Sequence, residues 1–210
     1  MEKITKKLEK LDVSKTKVLY YSVTFDYKDV MSLVRKILFN TKNTKDVSDV
    51  YTKTADSYEL FDGKMTEDTK KSISSEYSSH VDKMKVSENF IVCNNVLYTA
   101  NNEFHITTLF TGGKTHEKSA DLESEVGKKV SVKVNKLAVS GNFITMGVQS
   151  IKLEDGTDIS YFGNDVKHIT IALNKTEKKV FPKDSYTALS DGQIYDVDYT
   201  IDGKTSKVVQ

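Results

Sequence analysis

Two histidines stand in the same short pattern, His105-Ile106-Thr107 and His168-Ile169-Thr170, each inside an apolar, β-like run and 63 residues apart (168 minus 105). Neighbouring side chains on a strand point to opposite faces. Each histidine therefore shares a face with the threonine two residues on, at about 6.6 Å between Cα atoms, while the isoleucine between them enters the core. Such a set suits phosphodiester cleavage, which takes a proton from an attacking hydroxyl, gives one to a leaving oxygen and builds negative charge on the phosphoryl oxygens. With ordinary pKa values of about 6.5, one imidazole serves as base and the other, protonated, as acid near neutral pH. The hydroxyls of Thr107 and Thr170 donate to the non-bridging oxygens, and the chemistry calls for no metal and no cofactor. The pattern leaves open which of His105 and His168 is the base. One His-x-Thr would be unremarkable; two among four histidines, both on apolar runs, single these residues out.

The other candidates carry weaker signals. Thr111-Gly112-Gly113-Lys114 follows the first motif directly, and its glycines and Lys114 could meet an anion, although a plain strand-ending turn explains them as well. His80 and His116 lie in polar stretches and are expected in solvent, with no carboxylates at metal-ligand spacing around them. Cys93 follows Ile91 and Val92 in a strand and reads as an apolar filler. Tyr98, Phe104, Tyr161, Phe162 and Tyr186 lie near the motifs, where one or two of them can stack on a base. There is no Gly-rich phosphate loop of the nucleotide-hydrolase type, which argues against ATP use.

Composition narrows the partner. The 31 basic and 30 acidic side chains leave a formal charge of +1, and Arg35 is the only arginine. A protein that grips long duplex nucleic acid through its backbone usually carries a basic excess, so the balance favours a small nucleotide or a strand end. The apolar runs are too short to span a bilayer, one cysteine forms no internal disulfide, and the opening Met-Glu-Lys-Ile-Thr-Lys-Lys has no apolar signal stretch. An intracellular, cytoplasmic or nuclear monomer is expected, with no membrane partner.

The elements that must hold the motifs read as α+β within a single domain. Ile4, Leu8 and Leu11 recur at helical spacing. Val18 to Phe25 reads as a strand, and Asp26 or Asp29 caps a helix through Asn40 with a stripe of Val30, Leu33, Val34, Ile37 and Leu38. Residues 41 to 89 are polar, with a turn at Gly63 and a weak helix from Glu67 to Met84, and read as an insertion or lid. From Phe90 onward six β-like stretches follow: Phe90 to Tyr98, Glu103 to Phe110, Lys128 to Leu137, Asn142 to Leu153, Asp165 to Leu173 and Tyr195 to Ile201. Turns at Ser140-Gly141-Asn142 and Glu154-Asp155-Gly156 point to antiparallel hairpins.

The duplicated His-x-Thr resembles the 2H (two-histidine) phosphoesterase superfamily, and the second half is most similar to the cyclic phosphodiesterase domain of fungal-type tRNA ligases. The closer likeness is carried by Lys128 to Val134, Phe143 to Val148, Asn164 four positions before His168, and Val180-Phe181-Pro182-Lys183-Asp184-Ser185. That last segment is similar to a Lys-Pro-x-x-Ser element, with Phe181 where that group has lysine. The resemblance covers roughly residues 90 to 190. It implies a bilobal fold with two mainly antiparallel sheets flanking a cleft, His105 and His168 as catalytic residues, and Thr107, Thr170 and Ser185 toward the substrate, with Lys114 added from the Gly-Gly-Lys turn. The implied activity is opening of a 2',3'-cyclic phosphate on an RNA end or nucleotide; relatives of that kind instead cleave 2'-5' oligoadenylates or cyclic oligonucleotide signals. A nucleotide or RNA-end binding module with the same cleft and no turnover is the alternative of another class.

Overall fold

The computed structural model describes residues 17–39, 50–54, 57–176 and 180–210. The expected N-terminal helix around Ile4, Leu8 and Leu11 lies outside them. Strand β1 (Val18–Phe25) leads into helix α1 (Tyr27–Phe39). The Asp26 carboxylate accepts the backbone amide of Lys28 at 2.8 Å and caps the first turn. Val30, Leu33, Val34 and Leu38 recur at helical spacing and are buried in the main core.

The described part of the segment expected as an insertion or lid extends the sheet. It contributes β2 (Val50–Thr54), β3 (Ser57–Lys64), which includes Gly63, and helix α2 (Glu67–Val81), and none of its described residues lines the cavity discussed below. Ile73, Tyr77 and Val81 of α2 pack with Met65, Met84, Phe90, Val92 and Leu97 in a second core. The stretch read as one run from Phe90 to Tyr98 is a hairpin, β4 (Asn89–Cys93) and β5 (Val96–Ala100). Asn94 and Asn95 turn it in the left-handed region, at φ +52° and +58°, as a two-residue hairpin turn demands and as asparagine tolerates.

Then come β6 (Phe104–Phe110), α3 (Ser119–Glu125), β7 (Lys129–Val139), β8 (Phe143–Leu153) and β9 (His168–Leu173). A 3-10 turn (Pro182–Thr187), the short α4 (Ala188–Asp191) and the long β10 (Gln193–Val209) complete the chain. Ser140 closes the β7–β8 hairpin, its amide donating to the Phe143 carbonyl at 2.9 Å.

The chain is α+β and dominated by antiparallel sheet. Two separate sheets were the expectation; the described strands instead pair into one sheet in the order β2-β3-β4-β5-β9-β8-β7-β10-β1-β6. Two joints make it continuous. β5 meets β9 through only the pairs Thr99 with Leu173 and Ala100 with Ala172, and β10 carries the sheet from β7 across to β1. The register shifts along β7, β8 and β10 add bend to the twist of long strands. As a result β6 and β9, five places apart in strand order, lie against each other without a shared ladder among the described residues. Among the described residues no helix is long and apolar enough to cross a membrane.

Candidate active site

Strict alternation places the motif side chains. On β6, Phe104 and Ile106 are each 1% exposed in the core, while His105 and Thr107 are half-buried on the opposite face. On β9, Ile169 and Ile171 are buried and His168 and Thr170 half-buried. Where the two strands meet, His105, Thr107, His168 and Thr170 line one cavity of about 660 Å³. Phe110, Phe162, Lys183 and Tyr186 line it as well, together with Asn101, Asn164, Asp165 and Val166.

The strands meet through the loops before each motif. A β-bulge at Thr108, opposite the Tyr21–Ser22 step of β1, leaves the carbonyls of Thr107 and Thr108 for other donors. The Asn164 side-chain amide donates to the Thr107 carbonyl at 2.9 Å, and the Gly163 amide to that of Thr108 at 2.7 Å. On the other side, the Asn101 side-chain amide donates to the Thr170 carbonyl at 2.9 Å and its backbone amide to that of Ile171 at 2.9 Å.

Burial, foremost, holds both histidines below their ordinary pKa. For His105 the charge of His168 pushes the same way and Glu103 opposes; for His168 a hydrogen bond to the Val166 carbonyl opposes. His168 Nδ1 lies 3.0 Å from that carbonyl, which can only accept, so the proton of the neutral ring sits on Nδ1 and Nε2 carries the lone pair. The Tyr20 ring stacks on His105 at 5.7 Å, and Tyr186 tilts against His168 at 6.1 Å. Among the described residues Lys183 is the cation lining the cavity, and Lys167 lies over the face of Phe162.

Two expected contacts fall elsewhere. Ser185 is fully buried behind Thr170: their hydroxyls are 2.6 Å apart, and Thr170 also donates to the Pro182 carbonyl at 3.3 Å. Ser185 therefore orients Thr170 and does not face the cavity. Lys114 is exposed beyond the end of β6 and does not line the cavity. The amides of Thr111, Gly112 and Gly113 donate to the carbonyls of Leu19 and Val18, so that turn edges β1 and has no amide left to cradle an anion.

The secondary candidates sort by burial. Phe162 and Tyr186 reach the cavity; Tyr98 and Phe104 are buried; Tyr161 packs on His116. His116 is half-buried where solvent exposure was expected, its Nδ1 accepting the Lys118 amide at 3.1 Å. The side chain of His80 lies outside the described residues. Cys93 is fully buried, its thiol pushed up to about 11 by desolvation, as a filler would be. Among the described residues no three His, Cys, Asp or Glu side chains gather as a metal-binding group. Asn101 and Phe110 escaped the sequence reading. Asn101 had a signal, because it stands four positions before His105 as Asn164 does before His168.

Compared with known proteins, the chain matches no family model and no curated protein.

Proposed function

We propose that this protein is a metal-independent phosphodiesterase that opens a 2',3'-cyclic phosphate on an RNA end or nucleotide by two-histidine acid and base catalysis. The observation that carries this reading is the meeting of β6 and β9, which are not ladder partners, with one histidine and one threonine from each on the same cavity. On this reading the edge strand β6 and the interior strand β9 supply the two halves of a 2H-type site, one for each motif.

His168, with its proton held on Nδ1, uses the Nε2 lone pair to take a proton from water as the oxygen attacks phosphorus. His105, in its protonated form, gives a proton to the departing ribose oxygen. Thr107 and the Lys183 ammonium meet the charge that grows on the non-bridging oxygens, and Thr170 joins them by turning its one hydroxyl proton from the Pro182 carbonyl, 3.3 Å away, toward the phosphate. Water adds as OH to phosphorus and H to the ribose oxygen, and the shared proton returns to the pair through solvent.

One observation favours a second substrate. Phe110 is 70% exposed and Tyr186 45%, and both line a cavity roomier than one phosphate requires. Aromatic faces of that kind take bases by stacking, which suits 2'-5' oligoadenylates or cyclic oligonucleotides, where a neighbouring hydroxyl replaces water as nucleophile. Nothing in the balanced charge calls for long duplex nucleic acid. The reading places the protein inside the cell as a monomer, where the lone Cys93 stays reduced.

The test is turnover of 2',3'-cyclic nucleotides, 2'-5' oligoadenylates and cyclic dinucleotides in the presence of EDTA. Hydrolysis that requires both histidines supports the reading, whereas binding without turnover assigns the cavity to a recognition module.

A further inference from the structure

We propose that Asn101 and Asn164 form a reciprocal pair of straps that sets the separation of His105 and His168, each side-chain amide bonding the threonine carbonyl of the opposite motif. The proposal rests on the two-histidine reading for its consequence in catalysis, but not for its geometry.

The arrangement is two-fold in chemistry. Each asparagine lies four positions before its own histidine. Asn164 reaches the Thr107 carbonyl and Asn101 the Thr170 carbonyl, both at 2.9 Å. The next carbonyl on each strand is also taken, Thr108 by the Gly163 amide at 2.7 Å and Ile171 by the Asn101 amide at 2.9 Å. The same two acceptors on each motif strand are thus held by the loop that precedes the other motif. This matters because β6 and β9 share no ladder, so the hydrogen bonds that fix spacing elsewhere in the sheet do not fix it here.

Position also argues for a role at the site. Both asparagines line the cavity, and Asn164 is exposed, where a single amide bond adds little to global stability. What such a bond controls is placement, and displacing a catalytic group by about 1 Å costs rate on the order of 100-fold. Asn101 and Asn164 are therefore positioning residues, acting through the strands they hold. The charge of His168 is felt at His105, which gives the spacing a physical reporter.

The test reads that reporter by NMR titration of the imidazole protons of His105 in the full chain, with amide spectra as the check on folding. In the parent protein, His168→Ala should raise the His105 pKa, because a like charge and part of the burial are removed. In Asn101→Ala/Asn164→Ala the same His168→Ala step should move it by half as much or less, since the rings have drifted apart. The single variants Asn101→Ala and Asn164→Ala, each lacking one strap, carry the same measurement should the double variant not fold. An unchanged step in folded strap variants overturns the proposal. None of this requires turnover, so a protein without phosphodiesterase activity would sink the functional reading and leave the straps testable. If that reading holds, each single variant should lose about 10-fold to 100-fold in kcat with a smaller change in KM.

Discussion

The hydrogen bond from His168 Nδ1 to the Val166 carbonyl makes the two imidazoles unequal, and the two-histidine proposal draws different tasks from that difference. Under the proposed mechanism it leaves the Nε2 lone pair of His168 for proton abstraction and assigns proton donation to His105, where Glu103 opposes the lowering of the pKa by burial. The assignment is open to a leaving-group experiment. A nitrophenolate departs without protonation, so His105→Ala should lose far less rate on a p-nitrophenyl phosphodiester than on a 2',3'-cyclic nucleotide, whereas His168→Ala should lose about the same on both. The opposite pattern would exchange the roles. Both histidines are held below their ordinary pKa by burial, so the plot of kcat/KM against pH should be bell-shaped with its centre on the acid side of about 6.5. Because the charge of His168 disfavours protonation of His105, the two limbs belong to the pair and not to either ring. At this scale the sequence was informative. The repeated His-x-Thr identified four residues that share the cavity, but the outward turn of Lys114 and the burial of Ser185 depend on partners no local pattern encodes: the β1 carbonyls for the turn and the 3-10 segment for the serine.

Among the elements, those whose environment is local were the legible ones. β1 runs from Val18 to Phe25 as its β-branched and aromatic residues imply, and α1 follows from the Asp26 cap and its apolar stripe. The strands β2 and β3 were hidden within a stretch read as a polar insertion or lid because they form by adding to β4, and such pairing leaves only a faint apolar period. β10 was legible only from Tyr195 to Ile201; its remaining length is held by alternate pairing with β7 and β1 and not by its own pattern. That double pairing is what carries β6 round to β9. Gly203 lies on β10 hard against β1: a Cβ there would lie 2.7 Å from a Val23 methyl and 2.9 Å from the Phe25 ring. Gly203→Ala should cost about 1–3 kcal/mol in urea unfolding, the usual penalty of overpacking. On the far side, Thr145 is fully buried and donates to the Ser185 carbonyl at 2.8 Å, tying the 3-10 turn to β8. Thr145→Val leaves that carbonyl without its partner and should cost about 1–3 kcal/mol, with activity falling further than stability because Thr170 loses its orientation.

The whole molecule carries the imprint of the site in its response to pH. His105 and His168 are less basic in the folded chain than in the unfolded one, so across the interval between those two values the unfolded state binds more protons. Stability is therefore complete above the unfolded value of about 6.5 and falls as pH drops below it toward the folded values. Glu88, lowered against its burial by the Lys85 amide and by Lys175, and Glu123, lowered chiefly by its hydrogen bond with Lys207, add a separate loss only in the carboxylate range. Urea midpoints taken from pH 8 to pH 5 should decline in the parent protein and decline less in His105→Ala/His168→Ala. An equal decline in both would mean that the histidines are not held neutral by the fold. One continuous curled sheet, where two were expected, follows from the same scale. Strand composition predicts that strands form, but which edges meet is decided by long-range pairing such as β10 with β1.

The central claim is tested most directly by incubating the purified protein with EDTA and the panel of 2',3'-cyclic nucleotides, 2'-5' oligoadenylates and cyclic dinucleotides, beside folded His105→Ala and His168→Ala. The account predicts hydrolysis of at least one member, undiminished by EDTA and reduced by roughly 100-fold or more in each variant. No turnover across the panel, or activity retained after either histidine is removed, would contradict it.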